Sequence, residues 1–201
     1  AGFVLRQTAA TQTQVPELAH NRAKDRLIES AGKPYLQALG LTDAKGNVHK
    51  NSQDKFRQIN KYIEILDGLI KQLPTTPKLR VVDMGAGKGY LTFALYDHLV
   101  NTLGLDAEVV GVEARDDLVK LCSGIALANG FKKLHFVQGT IAQFDCRGAN
   151  VVGALHACDT STHDAIRKAI GGGAYPIAVA TCGHKQIRPE MRTKWGNSRH
   201  E

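Results

Sequence analysis

The sequence lacks the features that mark disulfide-stabilised, membrane-spanning and secreted proteins. Its four cysteines, at 122, 146, 158 and 182, form no Cys-x-x-Cys pair, so we expect no disulfide framework and a reducing, cytoplasmic location. No apolar run approaches the roughly 20 residues that cross a bilayer, and the first residues show no secretory signal. Aromatic residues make up only 6% of the chain, and no aromatic-rich motif for stacking on single-stranded nucleic acid is visible.

What is present is an ordinary globular composition with an uneven charge. The 201 residues suit one domain with an appendage, and the formal net charge is +7. Residues 1–78 carry +5, residues 79–184 carry −1 and residues 185–201 carry +3. Basic flanks of this kind suit a polyanionic partner, although moderately basic surfaces are common and also aid solubility.

Hydrophobic periodicity divides the chain into a helical part and an alternating part. After a polar tail over 1–15, a helical stretch is expected from Pro16 to Leu39, interrupted near Gly32. A clear amphipathic helix is expected over 52–72, with its apolar positions at Phe56, Ile59, Ile63, Leu66 and Ile70. Arg57 and Lys61 fall on the opposite face of this helix, which is either a solvated surface or a nucleic-acid contact.

Beyond Pro77, short apolar strands alternate with helices. The strands are expected at 79–84, 108–113, 134–138, 150–156 and 175–181, and the helices at 89–103, 115–129 and 160–170, with a short helical piece at 140–145. This alternation predicts an α/β fold with a doubly wound, parallel sheet. The predicted domains are an N-terminal tail and helical extension (1–78), a ligand-binding α/β domain (79–184) and a basic C-terminal segment (185–201).

A glycine loop, residues 85–89, follows the first strand and is preceded by Asp83. Ligands in open parallel sheets bind beyond the carboxyl ends of the strands, so the loop is well placed for one. Its spacing, Gly-x-Gly-x-Gly, differs from the dinucleotide pattern Gly-x-Gly-x-x-Gly, and Asp83 is badly placed beside a pyrophosphate. The acid suits a cationic ligand such as the amino group and sulfonium of S-adenosylmethionine. Glu113 ends the second strand, where a carboxylate can accept both ribose hydroxyls.

The Asp-x-Gly-x-Gly-x-Gly loop followed by a strand-end acid resembles the class I S-adenosylmethionine-dependent methyltransferases. A narrower resemblance, to a bacterial group of predicted methyltransferases related to the eukaryotic methyltransferase-like proteins, runs through 20–24, 35–40, 54–60, 111–115, 154–160 and 182–188. It implies a Rossmann-like sheet, S-adenosyl-L-methionine as cofactor, and cofactor binding by Asp83, Gly85, Ala86, Gly87, Gly89, Glu113, Ala114, Thr140, Ile141 and Leu155. The sheet of this family has seven strands, whereas the sequence pattern predicts five. We therefore expect a sheet that is truncated after the fifth strand, a reduced sheet, or a sheet edge that a partner covers.

The same resemblance implies catalytic roles at the end of the fourth strand. His156 is the candidate general base and Asp159 the group that orients the acceptor, since methyl transfer depends on positioning and, for some acceptors, on proton removal. The structural alternatives are a backbone-bonded strand-end histidine and a helix N-cap. Lys185 and Arg188 are candidate substrate-binding residues. A more distant resemblance to eukaryotic tRNA ribose methyltransferases covers the same segments.

Three positions depart from the bacterial group, in which a proline is usual at 181, a cysteine at 183 and an aspartate at 163. This chain has Thr181, Gly183 and His163 there. A zinc site of His156, Cys158, Cys182 and His184 is conceivable because residues two apart share a strand face, but the spacing matches no strong zinc module. The sequence therefore predicts no metal.

The leading function is a methyltransferase that modifies RNA, with a methyl-acceptor substrate as partner and no membrane association. The alternatives are a methyltransferase acting on protein or a small molecule, and a non-catalytic binding module that keeps the fold. A nicotinamide dehydrogenase is disfavoured by the glycine spacing and by Asp83. The sequence does not indicate an oligomeric state.

Overall fold

The computed structural model describes residues 26–74, 76–154, 166–167, 170–171, 173 and 177–179. Strands and helices alternate along the described part after a helical start. Their bounds are α1 Pro34–Ala38, α2 Gln53–Ile70, β1 Leu79–Met84, α3 Tyr90–Tyr96, β2 Ala107–Glu113, α4 Asp116–Ala128, β3 Leu134–Gln138, β4 Val151–Ala154 and β5 Ile177–Val179. A 3-10 turn, Lys50–Ser52, leads into α2, and α3 continues as a π-helix, Asp97–Thr102.

The five strands form one parallel sheet in the order β3-β2-β1-β4-β5. The chain therefore winds outward from β1 in one direction, and then returns to β1 and winds in the other. The predicted α/β, Rossmann-like, doubly wound fold is confirmed, and the fourth and fifth strands are neighbours. In the register of the sheet, Asp83 of β1 lies between Gly111 of β2 and Gly153 of β4.

The sheet separates two apolar cores, because successive side chains of a strand point to opposite faces. Val81 belongs to the larger core, which contains the buried side chains of α2, α3 and α4. Val82 and Met84 belong to the smaller core on the other face. Asp83, two residues after Val81, is therefore directed to the same face as α2 and α3.

Helix α2 agrees with the sequence pattern within two residues at each end. Its apolar stripe, including Phe56, Ile59 and Ile63, is almost fully buried. On the exposed face Arg57 pairs with Asp54, and Lys61 pairs with Glu64 at 3.1 Å. These intrahelical pairs favour the interpretation of this face as a solvated surface.

Two helical expectations are wrong within the described residues. Residues 26–33 form bends and a turn instead of helix, and the helix begins only at Pro34. The reason is local, since Gly32 adopts a φ of 68° and Pro34 has no amide proton to donate to a preceding helical turn. The short helical piece expected at 140–145 is a hydrogen-bonded turn over 141–143.

The fourth strand begins at Val151, one residue later than predicted, since the Asn150 side chain accepts the amide proton of Arg80 at 2.7 Å. Residues 155–156, the N-terminal tail, most of the helix expected at 160–170 and the C-terminal segment lie outside the described residues. Among the helices that the structure describes, none has the length and hydropathy to cross a membrane. The three-part domain division stays a prediction.

Candidate functional site

The glycine loop connects β1 to α3 at the carboxyl edge of the sheet. Gly85, Gly87 and Gly89 have φ values of 74°, 60° and 73°, in the left-handed region that glycine adopts without strain. The amides of Gly85 and Ala86 both donate to the Val112 carbonyl, at 2.8 and 2.9 Å. These bonds hold the start of the loop against the end of β2.

Glu113, the last residue of β2, is buried beside the loop. Its Oε2 accepts a hydrogen bond from the Gly87 amide at 2.8 Å, and its Oε1 accepts bonds from the amide and Nε of Arg115 at 3.1 and 3.0 Å. Burial alone would raise the pKa of Glu113, but the bonds from Arg115 and Gly87 outweigh it and lower the pKa. The carboxylate is therefore ionised and fixed at neutral pH.

Asp83 lies at the floor of the site with only 4% of its surface exposed. The hydroxyl of Thr92, on α3, donates to its Oδ2 at 2.6 Å. Burial raises the pKa of Asp83 to about 6, although the Thr92 bond acts in the opposite direction. A buried carboxylate with so little stabilisation of its charge is suited to a cationic ligand group.

These groups surround a cavity of about 750 Å³ at the carboxyl edge of the sheet. Eight of the ten predicted cofactor residues line it: Asp83, Gly85, Ala86, Gly87, Glu113, Ala114, Thr140 and Ile141. Gly89 is not among the lining residues, because it faces inward, where an added Cβ would lie 3.0 Å from the Phe93 ring. Leu155 lies outside the described residues.

Sequence reasoning missed several residues that line the cavity. Lys55 reaches it from α2, with its Nζ 4.9 Å from the centroid of the Tyr90 ring. Lys88 and Arg115 also line the cavity. Lys88 belongs to the glycine loop and Arg115 to segment 111–115, so their positive charges inside these motifs could have identified them. Lys55 lies in segment 54–60 of the family resemblance, but its place in the cavity could not be predicted, because its contact depends on how α2 packs beside the sheet.

Cys122 of α4 packs under the glycine loop, with its Sγ 3.8 Å from the Gly87 carbonyl oxygen. Burial, together with the nearby charge of Glu113, raises the pKa of the Cys122 thiol to about 11, so the thiol is protonated and unreactive at neutral pH. Cys146 is buried in the smaller core. Both cysteines are buried among apolar side chains and pack in the interior.

The predicted catalytic residues His156 and Asp159 lie outside the described residues, and so do Lys185 and Arg188. The same holds for the conceivable zinc ligands at 156, 158, 182 and 184. In the described part of the chain, no group of three or more histidine, cysteine, aspartate or glutamate side chains could hold a metal ion. The roles of these residues, and the expectation of no metal, stay predictions.

A parallel sheet with a glycine loop after its first strand and an acid at the end of its second defines an α/β domain that binds a nucleoside-containing ligand. A family model described as "Methyltransferase domain" matches residues 54–190. The chain belongs to this family. Its predicted class, an S-adenosylmethionine-dependent methyltransferase domain with that cofactor, is confirmed.

No curated protein matches the chain. Among solved structures it is similar to YcgJ of Bacillus subtilis (22% identity, 54% of this chain, 44% of that chain, TM-score 0.41). It is also similar to a Pyrococcus abyssi tRNA (uracil-54, C5)-methyltransferase in complex with S-adenosyl-L-homocysteine (12% identity, 67% of this chain, 31% of that chain, TM-score 0.47). A third similar structure is PH1948 of Pyrococcus horikoshii, a candidate RNA methyltransferase (15% identity, 83% of this chain, 73% of that chain, TM-score 0.48). The chain spans less than half the length of the first two.

Proposed function

We propose that this chain transfers the methyl group of S-adenosylmethionine to RNA. The observation that carries the proposal is the 750 Å³ cavity, in which two acidic side chains face one space beneath the glycine loop. Asp83 supplies a buried negative charge, and Glu113 supplies a fixed acceptor at the end of the next strand. A location in the cytoplasm is the accompanying prediction.

The residues that are present fit the proposed cofactor. A carboxylate offers about four lone-pair positions, and three hydrogen bonds already occupy positions on Glu113. Accepting both ribose hydroxyls therefore requires Arg115 to withdraw its Nε, which its 64% exposed side chain can do. Asp83 remains for the cationic, amino-acid end of the cofactor.

The bound cofactor supplies a methyl group on a positively charged sulfur. For their part, the chain's own residues orient the acceptor, exclude water and take up a proton when the acceptor atom must lose one. We assign proton removal to His156 and orientation of the acceptor to Asp159, on the family resemblance of their segment. Lys185 and Arg188 would contact the substrate.

The charge around the cavity supports an anionic acceptor. Lys55, Lys88 and Arg115 all line the cavity, and Lys55 reaches it from the basic segment 1–78. Cations at the edge of the site, together with the basic flanks, suit contacts to phosphates that orient a nucleic acid without reading its sequence. These cations would not strengthen the binding of a small apolar acceptor.

The proposal is tested by transfer of labelled methyl from S-adenosylmethionine to separated RNA, protein and metabolite fractions of a cell extract. We expect label in the RNA fraction, and transfer that falls steeply with rising salt because phosphate contacts release counterions. The Glu113→Gln variant serves as the background control. Label confined to protein or metabolites would contradict the RNA acceptor, and cofactor binding without transfer to any fraction would favour a non-catalytic module.

A further inference from the structure

The side chain of Tyr62, on α2, carries a hydroxyl with no hydrogen-bond partner in the described part of the chain. The residue is only 6% exposed, so water does not readily replace the missing partner. Burying a hydroxyl without a hydrogen bond is unfavourable. Such a group in a native fold calls for a functional explanation.

The hydroxyl lies beside the floor of the cofactor site. A Cβ atom on Gly153 would stand 3.0 Å from the Tyr62 oxygen and 3.7 Å from Oδ1 of Asp83. The two oxygens thus approach the same point beside β4, which carries no side chain because residue 153 is a glycine. Any side chain at 153 would enter that space.

Asp83 presents one oxygen to this space. Thr92 donates to its Oδ2, and no hydrogen bond within the described residues reaches Oδ1. Burial, and then the charge of Asp83, raise the pKa of Tyr62 well above its ordinary value, so its hydroxyl remains a proton donor. A donor and an acceptor that lack partners therefore stand on either side of Gly153.

We propose that Tyr62 and Asp83 together bind the zwitterionic amino-acid end of the cofactor, with Tyr62 as a positioning residue that α2 contributes. The α-ammonium group donates to Oδ1 of Asp83. The Tyr62 hydroxyl donates to the same end of the ligand, directly or through one water molecule. This inference rests on the proposed function, because it assigns a role toward the methyl donor.

The direction in which the ligand lies in the site follows from the position of Glu113. Glu113 stands at the end of β2, where Gly87 holds its carboxylate in place and withdrawal of Arg115 frees it to accept a ribose. Asp83 stands on the neighbouring strand, β1, so the opposite, charged end of the ligand falls to it. Helix α2 is thereby part of the cofactor site as well as a packing element.

The test compares two ligands on two Tyr→Phe variants. S-Adenosylhomocysteine carries the amino-acid group, whereas 5′-methylthioadenosine lacks it. In the Tyr62→Phe variant we expect a roughly tenfold weaker affinity for S-adenosylhomocysteine, consistent with loss of one hydrogen bond to a charged group. We also expect unchanged affinity for 5′-methylthioadenosine and no decrease in the melting temperature of the ligand-free protein.

Tyr35→Phe is the matched control, because the Tyr35 hydroxyl is also buried but donates to Asp97 at 3.3 Å, at the far end of α3. It should lower the melting temperature and leave both affinities unchanged. Equal affinities of wild type and Tyr62→Phe for S-adenosylhomocysteine, or an equal loss for both ligands, would overturn the inference alone. A wild-type chain that binds neither ligand would overturn the proposed function with it.

Gly153→Ala gives a second measurement, since it fills the space between the two oxygens without removing either. We expect Gly153→Ala to weaken the binding of S-adenosylhomocysteine more than the binding of 5′-methylthioadenosine. An alanine variant with wild-type affinity for both ligands would show that nothing binds beside Gly153, and would contradict the assignment.

Discussion

At the scale of single residues, the site is built from two carboxylates with opposite environments. Glu113 receives three hydrogen bonds and has a lowered pKa, so its position and charge are set before a ligand arrives. Asp83 receives one bond and has a raised pKa of about 6. Glu113 therefore suits neutral hydroxyl donors. The ionised form of Asp83 is the one that an approaching cation stabilises most.

The raised pKa of Asp83 makes cofactor affinity depend on pH. Pairing with the α-ammonium group requires the ionised carboxylate, so the affinity for S-adenosylhomocysteine should fall as pH decreases through about 6, by roughly tenfold for each unit. The measurement is a series of binding titrations between about pH 5 and pH 8. An affinity that is flat over this range in wild type would contradict the assignment of Asp83.

Asp83→Asn is the control for that series, because other groups also titrate in this range. The variant should bind weakly and lose the pH dependence. A carboxyl whose pKa is higher in the folded than in the unfolded chain lowers stability as pH rises between the two values, here from about 4 to about 6. Ligand-free Asp83→Asn should therefore be at least as stable as wild type at pH 7.

The sequence allowed prediction of the residues that belong to one continuous motif. Asp83 and Glu113 stand at fixed places relative to the glycine loop, and chain order alone predicts that they face one site. Lys55 and Tyr62 could not be predicted, because they reach the site only through the docking of α2 against α3 and the sheet. Periodicity indicates which side of α2 is buried, and it does not indicate what that side covers.

At the scale of elements, α2 is held along its buried stripe and near its carboxyl end. Its buried stripe packs in the larger core, and near its carboxyl end Asp67 accepts hydrogen bonds from His98 and Lys71 at 3.0 and 2.6 Å. Burial would raise the pKa of Asp67, but these two bonds lower it. Asp67 is therefore ionised, and it fixes α2 to the π-helix that continues α3.

The contribution of α2 to stability can be measured with two isoleucines two positions apart. Ile63 is fully buried and Ile65 is 48% exposed. Ile63→Ala should lower the free energy of unfolding by about 2–5 kcal/mol, through lost burial and a cavity. Ile65→Ala should change it by no more than about 0.5 kcal/mol. Urea unfolding of both variants provides the measurement, and equal effects would contradict the described packing of α2.

Elements were predictable where one local signal dominated. The first and third strands agree with prediction at both ends, because the short apolar runs there are bounded by turn residues. The expectation of helix over the described residues 26–33 was wrong because a favourable composition was outweighed by the backbone conformation at Gly32. The π-helix at the end of α3 had no signal in the sequence, since it depends on the buried partners of Asp97 and His98.

At the scale of the whole molecule, the excess of positive charge lies in the segments that flank the α/β part. The α/β part is nearly neutral, at −1, while the segments before and after it carry +5 and +3. Helix α2 joins these parts, because it belongs to the basic segment 1–78 and lines the cavity through Lys55. This arrangement adds a cation from outside the α/β part to Lys88 and Arg115, which line the same cavity.

The central claim is that the cavity beneath the glycine loop binds S-adenosylmethionine through Glu113 and Asp83. Calorimetric titration with S-adenosylhomocysteine tests it most directly, on wild type, Glu113→Gln and Glu108→Gln. Glu108 is a matched control on the same strand, paired with Lys78 at 2.9 Å and remote from the cavity. We expect saturable, one-to-one binding by wild type and Glu108→Gln, and at least tenfold weaker binding by Glu113→Gln, which loses charge-assisted hydrogen bonds. Absence of binding by wild type, or equal binding by all three proteins, would contradict the account.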